Sequence, residues 1–247
     1  MERSKPLLLW QPNIFPDEEK EIARQYFRIQ YSSISDGNWT PHHPFVFRGS
    51  VSGAGRLGHN LDRFDCRKWI PYLSDYMISR NFFWATAKDL ARQDQYVWPL
   101  FVRPDSCKKL FAGQVYSYEK YLEEYKYLQQ KNGEKILAFV AKPEWIGREW
   151  RFLYVGEECV GYSDYMYNGE IIENPQPRAV SIELERFADR IRANEYFSPE
   201  DNVTIDVGQR ADGSYGLVEI NFLETAGFYG VDKDKVYDKL AQSLNYD

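Results

Sequence analysis

The stretch GLVEINFLETAGFY, from Gly216 to Tyr229, sets a carboxylate and an amide into a run that otherwise reads as a buried strand. Leu217, Val218, Ile220 and Phe222 suit a sheet interior; Glu219 and Asn221 do not. Residues two apart in a strand point to one face, so the acid and the amide emerge side by side and must find partners. Upstream, Asp206 lies in TIDVG, and the turn ADG between the two runs predicts an antiparallel pair with Asp206 beside Glu219 and Asn221. Two carboxylates and an amide oxygen on one face form a hard-oxygen site suited to Mg2+, which takes carboxylates together with nucleotide phosphates. Pairing of each acid with an Arg or Lys from a neighbouring element would satisfy the same pattern, and the residues alone leave both readings open.

Basic residues supply the complementary charge. Arg103 ends the run PLFVRP, Lys108 and Lys109 follow in the next loop, Lys142 ends ILAFVAK, and Arg151 sits among apolar neighbours in EWRF. Arginine in such a strand is rarely left unpaired. A nucleotide triphosphate would satisfy these cations, and so would ordinary ion pairs. A second motif, Gly53-Ala54-Gly55-Arg56-Leu57-Gly58, fits G-x-G-x-x-G after the strand-like FVFRGSV. A dinucleotide fingerprint requires a helix to open within it, and HNLDRFDCRKW beyond it lacks an apolar stripe, so a flexible loop is the expectation. The histidines, His42, His43 and His59, suggest neither a zinc site nor a hydrolytic triad.

The elements that would hold these residues mix strands and helices. KPLLLWQP and PFVFRGSV read as strands, and DEEKEIARQYFRIQ as a helix entered through Pro16 and Asp17. WIPYLSDYMI has helical character. YVWPLFVRPDS and ILAFVAKP are strands around the helix SYEKYLEEYKYLQQKNG, whose stripe is Tyr118, Tyr121, Leu122, Tyr125 and Leu128 and whose stop is Asn132-Gly133. EWRFLYVGEECVGYSDYMYNGEII alternates around Gly156-Glu157 as a hairpin, VSIELERFADRIRAN is a helix facing inward through Leu184, Phe187, Ala188 and Ile191, and DKDKVYDKLAQSL closes as a helix. The late antiparallel pairs exclude a single doubly wound domain and make the chain α+β.

A length of 247 residues allows one large domain or two lobes, and a formal net charge of −6 argues against a non-specific nucleic-acid binder. Cys66, Cys107 and Cys159 are odd in number and widely spaced, which makes a disulfide framework or zinc site unexpected. The start MERSKPLLLWQPNIFPDEEK is too briefly apolar for a secretory signal, and no apolar run spans a membrane, so the expectation is a soluble cytoplasmic protein.

Taken in order, these segments resemble the ATP-grasp fold, and more narrowly the ATP-grasp clade named for two arginines and one lysine. FVRPDSCKKLFAGQVYS, EWRFLYVGEECVGYSDY and NVTIDVGQRADGSYGLVEINFLETAGFYGVD carry the resemblance. VFRGSV, NLDRFDCRKWIPYL and SRNFFWATAKDL resemble the segment that precedes the core, so the likeness runs from about Phe45 onward. It implies a small α/β pre-ATP-grasp domain over residues 1–92 and an ATP-grasp core over 93–247. Within the core, 93–141 would be the smaller, nucleotide-covering lobe and 142–247 the metal-binding lobe, with nucleotide between them. The resemblance gives Arg103 and Arg151 to phosphate binding and catalysis, and Lys109 to the phosphates from its loop. It sets Phe139, Val140, Ala141 and Lys142 at a hinge strand against adenine, Glu144 toward the ribose, and Asp206, Glu219 and Asn221 on Mg2+. The loop PDSCKKLFAG departs from the glycine-rich form.

The activity so implied is an ATP- and Mg-dependent ligase that joins a small-molecule or peptide carboxylate to an amine through an acyl phosphate. Arg48, Ser50 and the SGAGRLG segment are the expected substrate contacts. A catalytically silent nucleotide-binding protein and a nicotinamide-dependent oxidoreductase built on GAGRLG are the alternatives.

Overall fold

In the computed structural model, which describes residues 5–31, 44–106, 110–173, 175 and 179–244, LLLW at Leu7–Trp10 forms the first strand, β1. Helix α1, Asp17–Tyr26, opens with Asp17, Glu18 and Glu19 in its first turn, where carboxylates meet the positive end of the helix dipole. The helix expected through FRIQ stops short: Phe27 is extended and Arg28–Tyr31 is strand β2. Parallel pairing with β1, in which Ile29 lies opposite Leu8, overrides the helical pattern there. Strand β3, Phe45–Arg48, pairs in parallel on the other side, giving the order β2-β1-β3. GAGRLG is no loop. Helix α2, Val51–Arg56, already contains Gly53 and Gly55, and the Ser50 hydroxyl caps it by accepting from the Gly53 amide at 3.1 Å. The glycines thus fall inside a helix rather than in the turn before one, which removes the fingerprint geometry.

The chain divides into two compact units, Met1–Leu61 with Ile146–Asp247, and Asp62–Trp145. The second unit begins with helix α3, Cys66–Leu73, and continues through β4, Phe82–Thr86, and the short helix α4, Ala87–Leu90. Strands β5, Leu100–Pro104, and β6, Gln114–Tyr116, lead to helix α5, Tyr118–Gln130, and strand β7, Leu137–Ala141. Its sheet is antiparallel in the order β4-β7-β5-β6. The Ser117 hydroxyl caps α5, and Asn132 at φ 55° turns the chain out of it. One sheet face, with Leu100, Val102, Ala138 and Val140, packs against Tyr121 and Leu128 of α5.

The first unit resumes with a long antiparallel sheet. Strands β8, Ile146–Val155, and β9, Glu158–Tyr167, are joined at Gly156, whose φ of 58° suits glycine, and β10 is Glu170–Ile171. After helix α6, Ile182–Arg192, come β11, Val203–Arg210, β12, Tyr215–Phe222, and helix α7, Lys233–Ser243. The sheet order is β10-β9-β8-β11-β12. The face carrying Tyr154 meets α6, where its hydroxyl donates to Asp189 Oδ1 at 2.9 Å. The opposite face begins with Leu153, which packs with Leu8 and Trp10 of β1, Val231, and Val236 and Leu240 of α7.

The segment after β12, residues 223–228, is fixed by Arg48, a side chain expected among substrate contacts but found only 1% exposed. Its guanidinium donates to the carbonyls of Leu223, Glu224 and Ala226 at 3.3, 3.2 and 2.7 Å. It pairs with Glu19 of α1 at 2.7 Å and lies between the rings of Phe15 and Phe228, 3.4 and 3.9 Å from their centroids. Tyr237 of α7 donates to the same Glu19 at 2.8 Å, so one buried cation ties β3, α1, α7 and the end of β12 together. Such a pair is costly to break from one side, because the other charge stays buried. Arg48→Met should therefore destabilise the protein by about 3–5 kcal/mol in urea unfolding.

Glu224 is buried in the same segment, and Asn202 donates to its Oε1 at 3.1 Å. Burial pushes its carboxyl up to about 7, opposed by the Asn202 bond and the charge of Arg48. A folded-state pKa above the unfolded one contributes stability that is full below the ordinary carboxylate range and lost as pH rises through about 7. Glu224→Gln should therefore reduce the fall in Tm between pH 5.5 and 8.5, recovering on the order of 1–3 kcal/mol at the alkaline end. A Tm–pH slope identical to that of the unsubstituted chain would refute this.

Candidate nucleotide and metal site

The expected antiparallel pair forms, with Asp206 directly opposite Glu219 and Thr204 opposite Asn221. All four side chains share one face of β11 and β12, as the two-residue period requires. On its other side Asp206 lies opposite Arg151 of β8, and Arg151 lies opposite Ser163 of β9. A polar row, Ser163–Arg151–Asp206–Glu219, therefore crosses four strands.

Arg151 meets Asp206 through two bonds, Nε to Oδ1 at 2.7 Å and Nη2 to Oδ2 at 2.6 Å. Its Nη1 donates to the Gly227 carbonyl at 3.3 Å, so a second arginine holds the segment after β12. Asp206 is 0% exposed and Arg151 6%, which makes this a desolvated, bidentate pair. The partner of Asp206 is thus a neighbouring guanidinium within the sheet, one of the two readings its sequence position allows.

Two residues that the alternation did not reveal complete the cluster. Tyr165 donates to Glu149 Oε2 at 3.0 Å and lies 3.4 Å from Asp206 Oδ2. The pairing of β8 with β9 shifts register here: Trp150 faces Asp164 and Glu149 faces Met166, leaving Tyr165 as the extra, bulged residue. The Tyr165 ring stacks on Tyr229 at 4.8 Å, and the Arg151 guanidinium carbon lies 5.0 and 5.1 Å from the two ring centroids. Burial raises the Tyr165 phenol well above its usual range, with help from the charges of Asp206 and Glu149, so it stays a donor. Burial also lifts Glu149, to about 7; Asp206 and Glu219 push it the same way, and the Tyr165 bond and Arg151 oppose them.

Among the described residues, no three of His, Cys, Asp and Glu are placed to hold a metal ion by themselves. The donor set that suits Mg2+ is a mixed one, Asp206, Glu219 and the Asn221 amide oxygen, with water and phosphate completing the shell. Two observations favour the fit. The mutual repulsion among Glu149, Asp206 and Glu219 marks more negative charge than Arg151 balances. The Thr204 hydroxyl and the Asn221 amide nitrogen on the same face are buried without hydrogen-bond partners.

In the second unit, Arg103 of β5 lies opposite Phe139 of β7, which lies opposite Trp84 of β4. Phe139 is ringed by Phe82, Trp84 and Phe101 at 5.2, 5.5 and 6.4 Å, so this face is an aromatic surface with an arginine at its edge. Ala141 shares that face, whereas the Val140 side chain lies in the core on the other. Lys142 and Glu144 are exposed beyond the strand. Lys109 lies outside the described residues. The loop that carries it leaves from a fixed point: Asp105 accepts from the Arg67 amide at the start of α3 at 2.9 Å and pairs with the Arg67 guanidinium. Where it returns, a side chain on Gly113 would sit 3.0 Å from the Arg103 Cβ, so glycine allows the close approach.

Among the described residues, no helix is long and apolar enough to cross a membrane. No curated protein matches the chain by sequence. In structure the chain is similar to a RimK domain ATP-grasp protein from Sphaerobacter thermophilus DSM 20745, with TM-score 0.68, 13% identity, and 98% of this chain and 100% of that one covered. It is similar to the D-cycloserine synthetase DcsG, with TM-score 0.66, 12% identity, and 97% and 99% covered. It is also similar to the ATP-grasp ligase PsnB complexed with a phosphomimetic variant of minimal precursor, Mg and ADP, with TM-score 0.59, 11% identity, and 98% of each chain covered. These likenesses show the ATP-grasp fold. The ATP-grasp domain family that is family 3 of the clade named for two arginines and one lysine matches residues 37–240, and the chain belongs to it.

Proposed function

We propose that the chain is an ATP- and Mg2+-dependent ligase that joins a carboxylate to an amine through an acyl phosphate. The observation that carries this reading is the polar face of β11 and β12, where Asp206, Glu219 and Asn221 present hard oxygen donors beside a buried arginine. The likeness to a synthetase, and to a ligase complexed with Mg, ADP and a precursor, supports it.

Asp206, Glu219 and Asn221 would hold Mg2+, which when bound spreads the charge of the transferred phosphoryl group. Arg151 holds Asp206 in one orientation, so that carboxylate needs no reorganisation on loading. In the second unit, Arg103 offers a phosphate a planar, bidentate donor that lysine would not. Phe139 and its neighbouring rings, with Ala141, offer a flat base an apolar surface, while Val140 contributes backbone alone. Lys142 and Glu144 stand next in the chain for the ribose, and Lys109 for the phosphates. The acid and the amine would be small molecules or peptides.

The pairing of both Asp206 oxygens with Arg151 favours a second reading, a nucleotide binder without turnover. Both readings predict nucleotide binding, and they part on product. Saturating Mg-ATP, at about 100 times its Kd, should add roughly 2.7 kcal/mol to the stability. Glu219→Gln should abolish the Mg2+-dependent part of that gain while leaving the ligand-free Tm within about two degrees. ADP release with a panel of carboxylates and amines would establish the ligase. A Tm shift with no ADP from any pair would establish the binder, and no shift at all would sink both.

A further inference from the structure

Two buried polar atoms lie on the face that carries the proposed metal ligands and have no hydrogen-bond partner: Thr204 Oγ1 and Asn221 Nδ2. They belong to directly opposed residues of β11 and β12. Thr204 is 0% exposed, so bulk water does not reach it. Opposed residues in an antiparallel pair have Cβ atoms about 4.5–5.5 Å apart, a separation one water between the side chains spans. An unpaired buried donor or acceptor costs on the order of 1–3 kcal/mol, and here a donor and an acceptor of that kind face each other.

The chemistry of an asparagine ligand gives this pairing a consequence. An amide has a donating end and an accepting end of nearly the same shape, and a cation takes only the oxygen. If Asn221 turns Oδ1 to Mg2+, its Nδ2 must find an acceptor on the other side. The cross-strand neighbours of Asn221 offer one: the Thr204 hydroxyl. The next residue along β11 on this face, Asp206, has both oxygens bonded to Arg151. We propose that Thr204 is a positioning residue for the cation site: through one bridging water, which accepts from Asn221 Nδ2 and donates to Thr204 Oγ1, it fixes the Asn221 amide with its oxygen toward the metal. The proposal rests on the reading of Asn221 as a metal ligand.

Thr204→Val keeps the shape and removes the hydroxyl; Thr204→Ser keeps the hydroxyl and removes the methyl. The measurement is the Mg2+ concentration at half of the Tm gain, at a fixed saturating level of a non-hydrolysable ATP analogue. Loss of an outer partner of a metal ligand weakens metal binding by roughly 10-fold or more, so Thr204→Val should raise that midpoint by about 10-fold. Thr204→Ser should stay within about 2-fold. In an Asn221→Asp background, where both ends of the side chain are oxygens and no donor needs an acceptor, Thr204→Val should leave the midpoint unchanged. That last outcome separates positioning from packing, because a packing defect would persist whatever occupies residue 221. If the unsubstituted chain shows Mg2+-dependent stabilisation and Thr204→Val shares its midpoint, the role of Thr204 is overturned while the metal reading stands. A Thr204→Val effect of equal size in the Asn221→Asp background overturns it as well. If the unsubstituted chain shows no Mg2+ dependence, both ideas fall together.

Discussion

Charge buried across a sheet face is the constraint from which much of the larger unit follows. Asp206 is out of contact with solvent, and a lone ionised carboxylate there would be prohibitively costly. Arg151 makes it tolerable by meeting both oxygens from the adjacent strand. That solution fixes register: a slip of one residue between β8 and β11 would send the guanidinium and the carboxylate to the opposite face, where Phe152 and Ile205 belong. The third part of the requirement is Tyr165, which the β-bulge in β9 brings to Glu149 and Asp206, so a local irregularity serves the charge cluster rather than marring the sheet.

The covering of that face follows the same logic. A segment laid over buried charges cannot be an ordinary apolar strap, since its own carbonyls would go unmet. Residues 223–227 solve this by turning carbonyls toward two arginines, three of them to Arg48 and that of Gly227 to Arg151. Arg48 in turn needs Glu19, and Glu19 is also held by Tyr237. The small parallel sheet β2-β1-β3 is thereby joined to the larger sheet by ionic and apolar contacts at once.

Much of this was legible in the residues. The alternation in TIDVG and GLVEIN, with ADG between, is a strong local signal because strand periodicity and turn chemistry agree, and the observed register puts Asp206 opposite Glu219. Where a single local signal stood alone, tertiary pairing overrode it. FRIQ continues a helical pattern, yet the unpaired edge of β1 recruits it as a strand. GAGRLG looks like a glycine loop, yet a capping serine starts the helix before its first glycine. Glu149 and Tyr165 were invisible as a pair because a bulge breaks the two-residue period on which face assignment depends. Arg48 reads as a substrate-facing cation, since nothing local announces that a strand-end arginine will find its partners 29 and 175 to 178 residues away.

The Arg151–Asp206 pair bears differently on binding and on stability. Its Coulomb energy largely repays the desolvation of two charges, so as a source of stability it is weak. Its value lies in orientation: a carboxylate held by two parallel bonds presents its remaining lone pairs in fixed directions. Glu219 and Asn221, half-buried on the neighbouring strand, add oxygen donors on the same face. An arriving cation would thus meet a partly neutralised site, and that lowers the electrostatic cost of keeping these acids together before it binds. The excess negative charge that remains, visible in the upward pull on Glu149, still favours a cation. A site balanced in this way can fold without its ion and yet bind one, whereas three unpaired carboxylates would repel one another and full neutralisation would leave nothing to attract the metal.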